Sequence, residues 1–311
     1  LEQIEMPKEE KEIKSIPSEN VVVITTKNGY IKKIPQKNFK ISNRNTKGTK
    51  SQEDITKEIF KTNTIDNLLV FTSDAKVYKI LVNDIPTGTN AAKGVGIRSL
   101  IPTMKDKEKP MLCSIIERGA DNKDIFFVTK NGLIKRTSFS EYTSLKKKSG
   151  IIAIKMKDND ELRDIEIGNP KNIVLISKQG QGINIEANTI PKSSRVTIGV
   201  KGMNLSDNDE VVDMHMINDE KYIAILDIMG IGKKVELTEL PEQKRGGKGV
   251  LMTTSKNDIV GSAIFNENDT LLITSSSSSI CLKASDLPTY GRKANGSNLI
   301  KTSNAIAIMK M

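Results

Sequence analysis

The stretch Gln243-Lys244-Arg245-Gly246-Gly247-Lys248-Gly249 packs three cations and three glycines into seven residues. Glycines let a backbone approach a partner closely, and clustered N–H groups beside Lys and Arg suit phosphate oxygens. The run lacks the Ser or Thr and the spacing of a Walker A loop, which argues against a nucleotide site. Taken alone it reads equally well as a solvated basic loop.

Recurrence strengthens the phosphate reading. Basic residues follow hairpin turns at Lys32-Lys33, Lys79, Lys135-Arg136 and Lys233-Lys234. They return ahead of a second glycine at Arg44 and Lys47, Lys93, Lys146-Lys147-Lys148, Arg195, Lys244-Arg245 with Lys248, and Arg292-Lys293. Equivalent positions of a repeat lie at equivalent points of a ring, so the phasing predicts a basic stripe along an outer rim, the footprint of phosphate-backbone binding. Aromatics are only 4% of the chain, which offers single strands no stacking platform and favours duplex DNA. With no recognition helix or base-reading motif in the sequence, binding is expected to be largely sequence-independent.

Other candidate chemistry is sparse. The single His215 sits in an alternating apolar run without metal-binding or acid-base partners nearby in sequence. Cys113 and Cys281 lie far apart in apolar surroundings and read as reduced, buried thiols. No catalytic residue, metal ligand or cofactor site is expected.

The elements that must position the cations come from an internal repeat. Six apolar runs open the segments: Val21-Val22-Val23-Ile24, Leu68-Leu69-Val70-Phe71, Ile125-Phe126-Phe127-Val128, Ile173-Val174-Leu175-Ile176, Tyr222-Ile223-Ala224-Ile225 and Leu271-Leu272-Ile273. Each reads as a buried strand leading into a turn. Aligned turn positions are Gly29, Ala75, Gly132, Gly180, Gly230 and Ser278, spaced 46, 57, 48, 50 and 48 residues apart. Where the turn is Asn-Gly, both residues are expected to take the positive φ angles of a tight hairpin. A second strand follows, then the second glycine at Gly48, Gly94, Gly150, Gly199, Gly249 or Gly296, then two further strands. Four strands in ~50 residues, six times over, predict an all-β, propeller-like ring of six four-stranded blades. The blades are placed at roughly 19–66, 67–120, 121–168, 169–218, 219–266 and 267–311, after a polar linker over 1–18.

Composition agrees with that architecture. Of 311 residues 37% are hydrophobic and none is Trp, so the apolar material must sit in thin layers between blades. Lys plus Arg outnumber Asp plus Glu 48 to 38, a net charge of +10 that attracts polyanions, although AT-rich coding alone also enriches Lys and Asn. Without a membrane-length apolar run or signal peptide, a soluble, cytoplasmic protein is expected. The start at Leu1 suggests a piece of a longer polypeptide.

The heptapeptide closely resembles the gyrase A box: a glutamine, two basic residues, two glycines, a basic residue and a glycine. With the repeat over about residues 20 to 310, including Asn131-Gly132-Leu133-Ile134-Lys135-Arg136-Thr137 and Gly199-Val200-Lys201-Gly202-Met203, the chain resembles the C-terminal domain of bacterial type IIA topoisomerase A subunits. That resemblance implies a β-pinwheel whose blades exchange strands and whose rim bends DNA, without catalysis of its own, near the nucleoid. It also implies partners: duplex DNA, the cleavage core to which such a domain is joined and, through that core, the ATPase B subunit in a heterotetramer. In the family the defining box lies in the first blade, where this chain has Ser42-Asn43-Arg44-Asn45-Thr46-Lys47-Gly48; here the intact box is in the fifth repeat. Gyrase and topoisomerase IV both remain open, with the preserved heptapeptide favouring gyrase. From another class, a protein-binding propeller scaffold with incidental lysines is the competing reading.

Overall fold

Each apolar run becomes a strand buried on both faces, as in Ile173–Ile176, which has no measurable exposure on any of its four side chains. In a computed structural model that describes residues 15–41, 44–45, 54–146 and 149–311, such strands recur in six four-stranded antiparallel sheets. Among the described residues the only helices are single 3₁₀ turns.

Blade four shows the pattern. Its two central strands, Asn172–Ser177 and Gln181–Glu186, form a hairpin, and Val211–Ile217 pairs with the first of them. The fourth strand, Val250–Leu251, comes from the next repeat and pairs with the second. The other blades likewise borrow Val95–Gly96, Ile151–Ile152, Val200–Lys201 and Ser297–Asn298. Blade six takes Arg44–Asn45 from the first repeat, joining the two ends of the chain. The post-glycine strand of the sequence is therefore only two residues long and belongs to the preceding blade's sheet.

The strands equivalent to Val211–Ile217 are Thr56–Asn63, Pro110–Ile116, Leu162–Gly168, Ile259–Phe265 and Ala305–Lys310. They neighbour one another from blade to blade and form the inner wall. Borrowed strands lie at the opposite, outer edge of each sheet.

Apolar material is layered between neighbours. Ile173 and Leu175 pack with Phe126 and Val128 of blade three, while Val174 and Ile176 pack with Ile223 and Ile225 of blade five. Period-two alternation thus sends successive side chains to two different cores, which explains runs with no polar face.

The hairpin turns differ from the expectation of paired positive angles. Only the glycine is left-handed, at φ 82° for Gly29 and 84° for Gly132, and Asn28 and Asn131 are not. Gly29 N–H donates to Thr26 and Gly132 N–H to Thr129, the arrangement of a type I turn closed by a left-handed residue. Ala75 takes the same position at φ 55°.

Candidate nucleic-acid interface

The outer edge is built by the borrowed strands and the loops before them, and in repeats two, four, five and six, with Lys146 of repeat three, these rim loops contain the second basic group. In the loop Gln243–Gly249, Gln243 N–H donates to Asn184 (2.8 Å) and Gly246 N–H to Gly202 (2.8 Å), fixing the loop across blades three and four. Gly246 is left-handed at φ 82°. A Cβ on Gly249 would stand 2.5 Å from the Gly182 carbonyl, so this glycine is required by the approach of the borrowed strand. Its equivalents Gly94, Gly199 and Gly296 meet the carbonyls of Ile31, Ile134 and Gly232 in the same way. The recurrent second glycine therefore serves strand exchange rather than phosphate approach.

Cations of the two groups separate sharply. Lys32, Lys33, Lys135, Lys233 and Lys234, expected on an exposed rim, are buried, which corrects that placement. Lys32 Nζ donates to the carbonyls of Thr89 (2.9 Å), Asn90 (2.9 Å) and Ala92 (2.7 Å) of the following rim loop. Lys233 does so to Gly291, Arg292 and Ala294, and Lys135 to Arg195 (2.8 Å). Lys33 and Lys234 reach carbonyls of the next repeat's 3₁₀ turn, at Asn83 and Ala284. Burial costs a charge its water, and each ammonium recovers hydrogen bonds from backbone carbonyls of the next repeat. Desolvation pulls the Lys135 and Lys233 pKa values down to about 8, against the opposing pull of Glu141 and Glu239.

Arg136 is likewise engaged, bonding Asp124 at 2.7 Å and the Ala187 carbonyl at 3.3 Å. The rim arginines bind backbone: Arg195 to Ile152, Arg292 to Leu251 (2.6 Å), and Arg245 to both Lys201 (2.7 Å) and Thr189 (3.0 Å). Each guanidinium thus ties its loop to the borrowed strand of the previous loop or its neighbour.

Exposed cations remain at Lys93, Lys146, Lys244, Lys248 and Lys293, with Lys79 half-buried. Lys93 lies over the Tyr30 ring at 4.0 Å. Among the described residues, Lys244 and Lys248 have no ion pair or side-chain hydrogen bond. Arg44 is placed by its backbone alone in the strand closing blade six, and Lys47, Lys147 and Lys148 lie outside the described residues. The repeat thus brings Gln243, Lys244, Gly246, Gly247, Lys248 and Gly249 to one rim loop, while Lys32, Lys135 and Lys233 sit beneath such loops and Lys33 and Lys234 against the 3₁₀ turns.

Sequence reasoning passed over the third residue of the 3₁₀ turns. Glu141 and Glu239 accept rim-loop N–H groups from Arg195 (2.6 Å) and Arg292 (2.8 Å). The signal was the recurring position Asn38, Asp84, Glu141, Thr189, Glu239 and Asp286, one or two residues before an apolar anchor or within it.

The inner wall holds the other titratable groups. Glu58 accepts the Cys113 N–H at 2.9 Å, Asp164 the Met214 N–H at 3.0 Å, and Asp213 the Ser262 N–H at 2.6 Å. His215 Nε2 is 2.7 Å from Ser262 Oγ, so its partner comes from the next blade rather than from its own stretch of sequence. Burial raises the pKa of Asp213 to about 6 and lowers that of His215 to about 4. Among the described residues no cluster of His, Cys, Asp and Glu could hold a metal ion, and no helix is long and apolar enough to cross a membrane.

The family described as DNA gyrase C-terminal domain, beta-propeller matches residues 20–58, 66–109, 123–169, 171–218, 230–264 and 268–304. The DNA gyrase A subunit of Helicobacter pylori strain J99 is 32% identical over 304 residues, covering 94% of this chain and 36% of the relative. That of Ureaplasma parvum serovar 3 is 30% identical over 311 residues, covering 95% and 36%. The chain thus spans about a third of the length of these relatives. Among solved structures, a DNA gyrase A C-terminal domain superposes with a TM-score of 0.79 at 23% identity, covering 94% of this chain and 100% of the other. The C-terminal domain of a DNA topoisomerase IV superposes with a TM-score of 0.76 at 24% identity, covering 95% and 94%. At these identities the two structures establish the shared fold.

Proposed function

Because this chain belongs to the DNA gyrase C-terminal domain family, we propose that it binds duplex DNA along its outer rim and bends it. The supporting observation is the rim loop Gln243–Gly249, which presents Lys244 and Lys248 exposed while Arg245 is occupied in holding the loop. Bending 20 to 30 base pairs by 40 to 90° costs on the order of 1–6 kcal/mol, which phosphate contacts from several blades must offset. Exposed lysines at Lys93, Lys146 and Lys293 supply further contact points on other rim loops. A rim made of loops and two-residue strands suits backbone contact better than base reading in a groove.

In the longer polypeptide the bent segment is presented to the cleavage core, and cleavage and ATP hydrolysis belong to that core and to the partner B subunit. Gyrase is the favoured setting, because the relatives of 30–32% identity are gyrase A subunits. Topoisomerase IV is the second reading, supported by the degenerate first-repeat stretch Ser42–Gly48. Nicked-circle ligation separates them: positive writhe left by the bound chain supports gyrase, and bending with little writhe supports topoisomerase IV.

Salt-dependent duplex binding tests the reading. Each phosphate contact contributes about 0.9 to the slope of log affinity against log salt, so Lys244→Ala with Lys248→Ala should flatten it by about 1.8. Lys283→Ala, removing an exposed lysine away from the rim loops, should change it little. A shallow wild-type slope, or equal effects of the two changes, counts against a DNA-binding rim.

A further inference from the structure

Three consecutive rim loops start alike, with the Ser193, Gln243 and Tyr290 N–H groups each bonding a strand of the preceding blade, but differ in their glycine turns and in what satisfies them. Loop 193–199 lies over Lys135, which donates to the Arg195 carbonyl, while Glu141 accepts the Arg195 N–H. Loop 290–296 repeats both devices: Lys233 holds three of its carbonyls, and Glu239 accepts the Arg292 N–H. At the intervening loop both are missing together. Ile183 replaces the buried lysine and packs against Gly247, with its Cδ1 3.5 Å from where a Cβ would stand. Thr189 replaces the glutamate and offers only its own carbonyl, to the Arg245 guanidinium. Among the described residues the Arg245 N–H has no acceptor.

Chemically, Glu141 and Glu239 are anions bound to a rim-loop amide, next to a buried ammonium whose charge they balance. Both carboxylates are exposed and stand at the surface where a phosphate oxygen would compete for the same donor. In the fifth repeat neither the internal anion nor its counter-cation is present, and the loop adds two unpaired lysines instead.

We propose that Glu141 and Glu239 are built-in phosphate surrogates that cap the rim loops of repeats four and six, so that among these three repeats the tightest backbone contact with DNA falls on the uncapped loop of repeat five. This rests on the duplex-binding reading above. The capping glutamates set where DNA is gripped, and so where along the rim the bend is centred.

The test compares Glu239→Ala, Glu239→Gln and Asp219→Ala in the full chain, where Asp219 is an exposed carboxylate with no hydrogen bond among the described residues. Removing the carboxylate frees the amide and leaves the Lys233 ammonium beneath it uncompensated, so one further phosphate is neutralised and the salt slope should steepen by about 0.9, a roughly eightfold gain in affinity at 0.1 M salt relative to 1 M. Glu239→Gln removes the charge but keeps an acceptor on the amide, and should give a smaller gain. Asp219→Ala reports the effect of deleting a surface charge alone. The proposal is overturned if Glu239→Ala changes slope and affinity no more than Asp219→Ala does.

A measurement without DNA keeps this separate from the functional reading. Amide exchange should be slow at Arg195 and Arg292 and fast at Arg245, and Glu239→Ala should accelerate Arg292 alone. Equal protection at all three amides overturns the capping whatever the DNA result. If protection follows the prediction and the wild-type chain shows no salt-dependent duplex binding, it is the DNA reading that fails.

Discussion

The inner wall and the outer rim solve one problem with opposite charges. Each blade must be tied to the next, and at the inner wall Glu58, Asp164 and Asp213 accept backbone N–H groups from the following inner strand. At the rim, Lys32, Lys135 and Lys233 donate to backbone carbonyls of the following repeat. The edge strand at the inside offers N–H donors to the acids of its neighbour, and the loop at the outside offers carbonyls to the buried lysines, with Glu141 and Glu239 adding two anionic ties at the rim. Part of the chain's basic character is therefore structural, and the rim's surface charge comes from the lysines left exposed, such as Lys93, Lys244, Lys248 and Lys293.

The largest expected effect comes from breaking an outer tie. Lys233→Met removes the donor of the Arg292 and Ala294 carbonyls, while Gly291 keeps the Ala294 N–H, and should cost about 3 kcal/mol, since each buried group left unpaired costs roughly 1–3 kcal/mol. Urea unfolding would measure it, and a loss below ~0.5 kcal/mol, the range of ordinary surface substitutions, would show the lysine to be a rim cation after all.

Breaking an inner tie should cost less. Asp213→Ala strips an acceptor from the Ser262 N–H and Oγ, yet removes a carboxylate whose own burial is unfavourable, so about 1–2 kcal/mol is expected from the same unfolding experiment. A cost equal to that of Lys233→Met would erase the asymmetry.

The remaining effect depends on pH. Burial, with Glu220 and Asp213 nearby, raises the Glu166 pKa from its ordinary 4.5 to about 8. A carboxyl raised in the folded state destabilises only when ionised, so the penalty is absent below about 4.5 and complete above about 8. Glu166→Gln should raise Tm at pH 9 and leave it unchanged at pH 4. His215 acts in the reverse sense: its pKa, lowered to about 4, makes its buried neutral form a stabilising feature above 6.5 that is lost as pH falls toward 4. An acid-side loss of Tm that persists in His215→Gln would assign that limb to other groups.

Much of this was legible in the chain. Apolar runs such as Ile173-Val174-Leu175-Ile176 identify strands buried on both faces, and the fixed spacing of Gly132, Gly180 and Gly230 counts the repeats, because both follow from local backbone geometry. The heptapeptide Gln243–Gly249 was visible for the same reason, as a run of adjacent residues. Other features are settled by residues far apart in sequence. Val95 pairs with Ile31, so strand exchange is a non-local choice that leaves only a recurrent glycine as its trace. Adjacent lysines such as Lys32 and Lys33 point to opposite faces of a strand, so at least one looks solvated, but a strand sandwiched between two blades buries both faces. Whether an ammonium meets water or carbonyl oxygens is decided by the backbone polarity of the neighbouring repeat. So the sequence alone determined six blades and a basic rim loop; only the packed ring decided which cations hold the blades together and which are left to meet a phosphate.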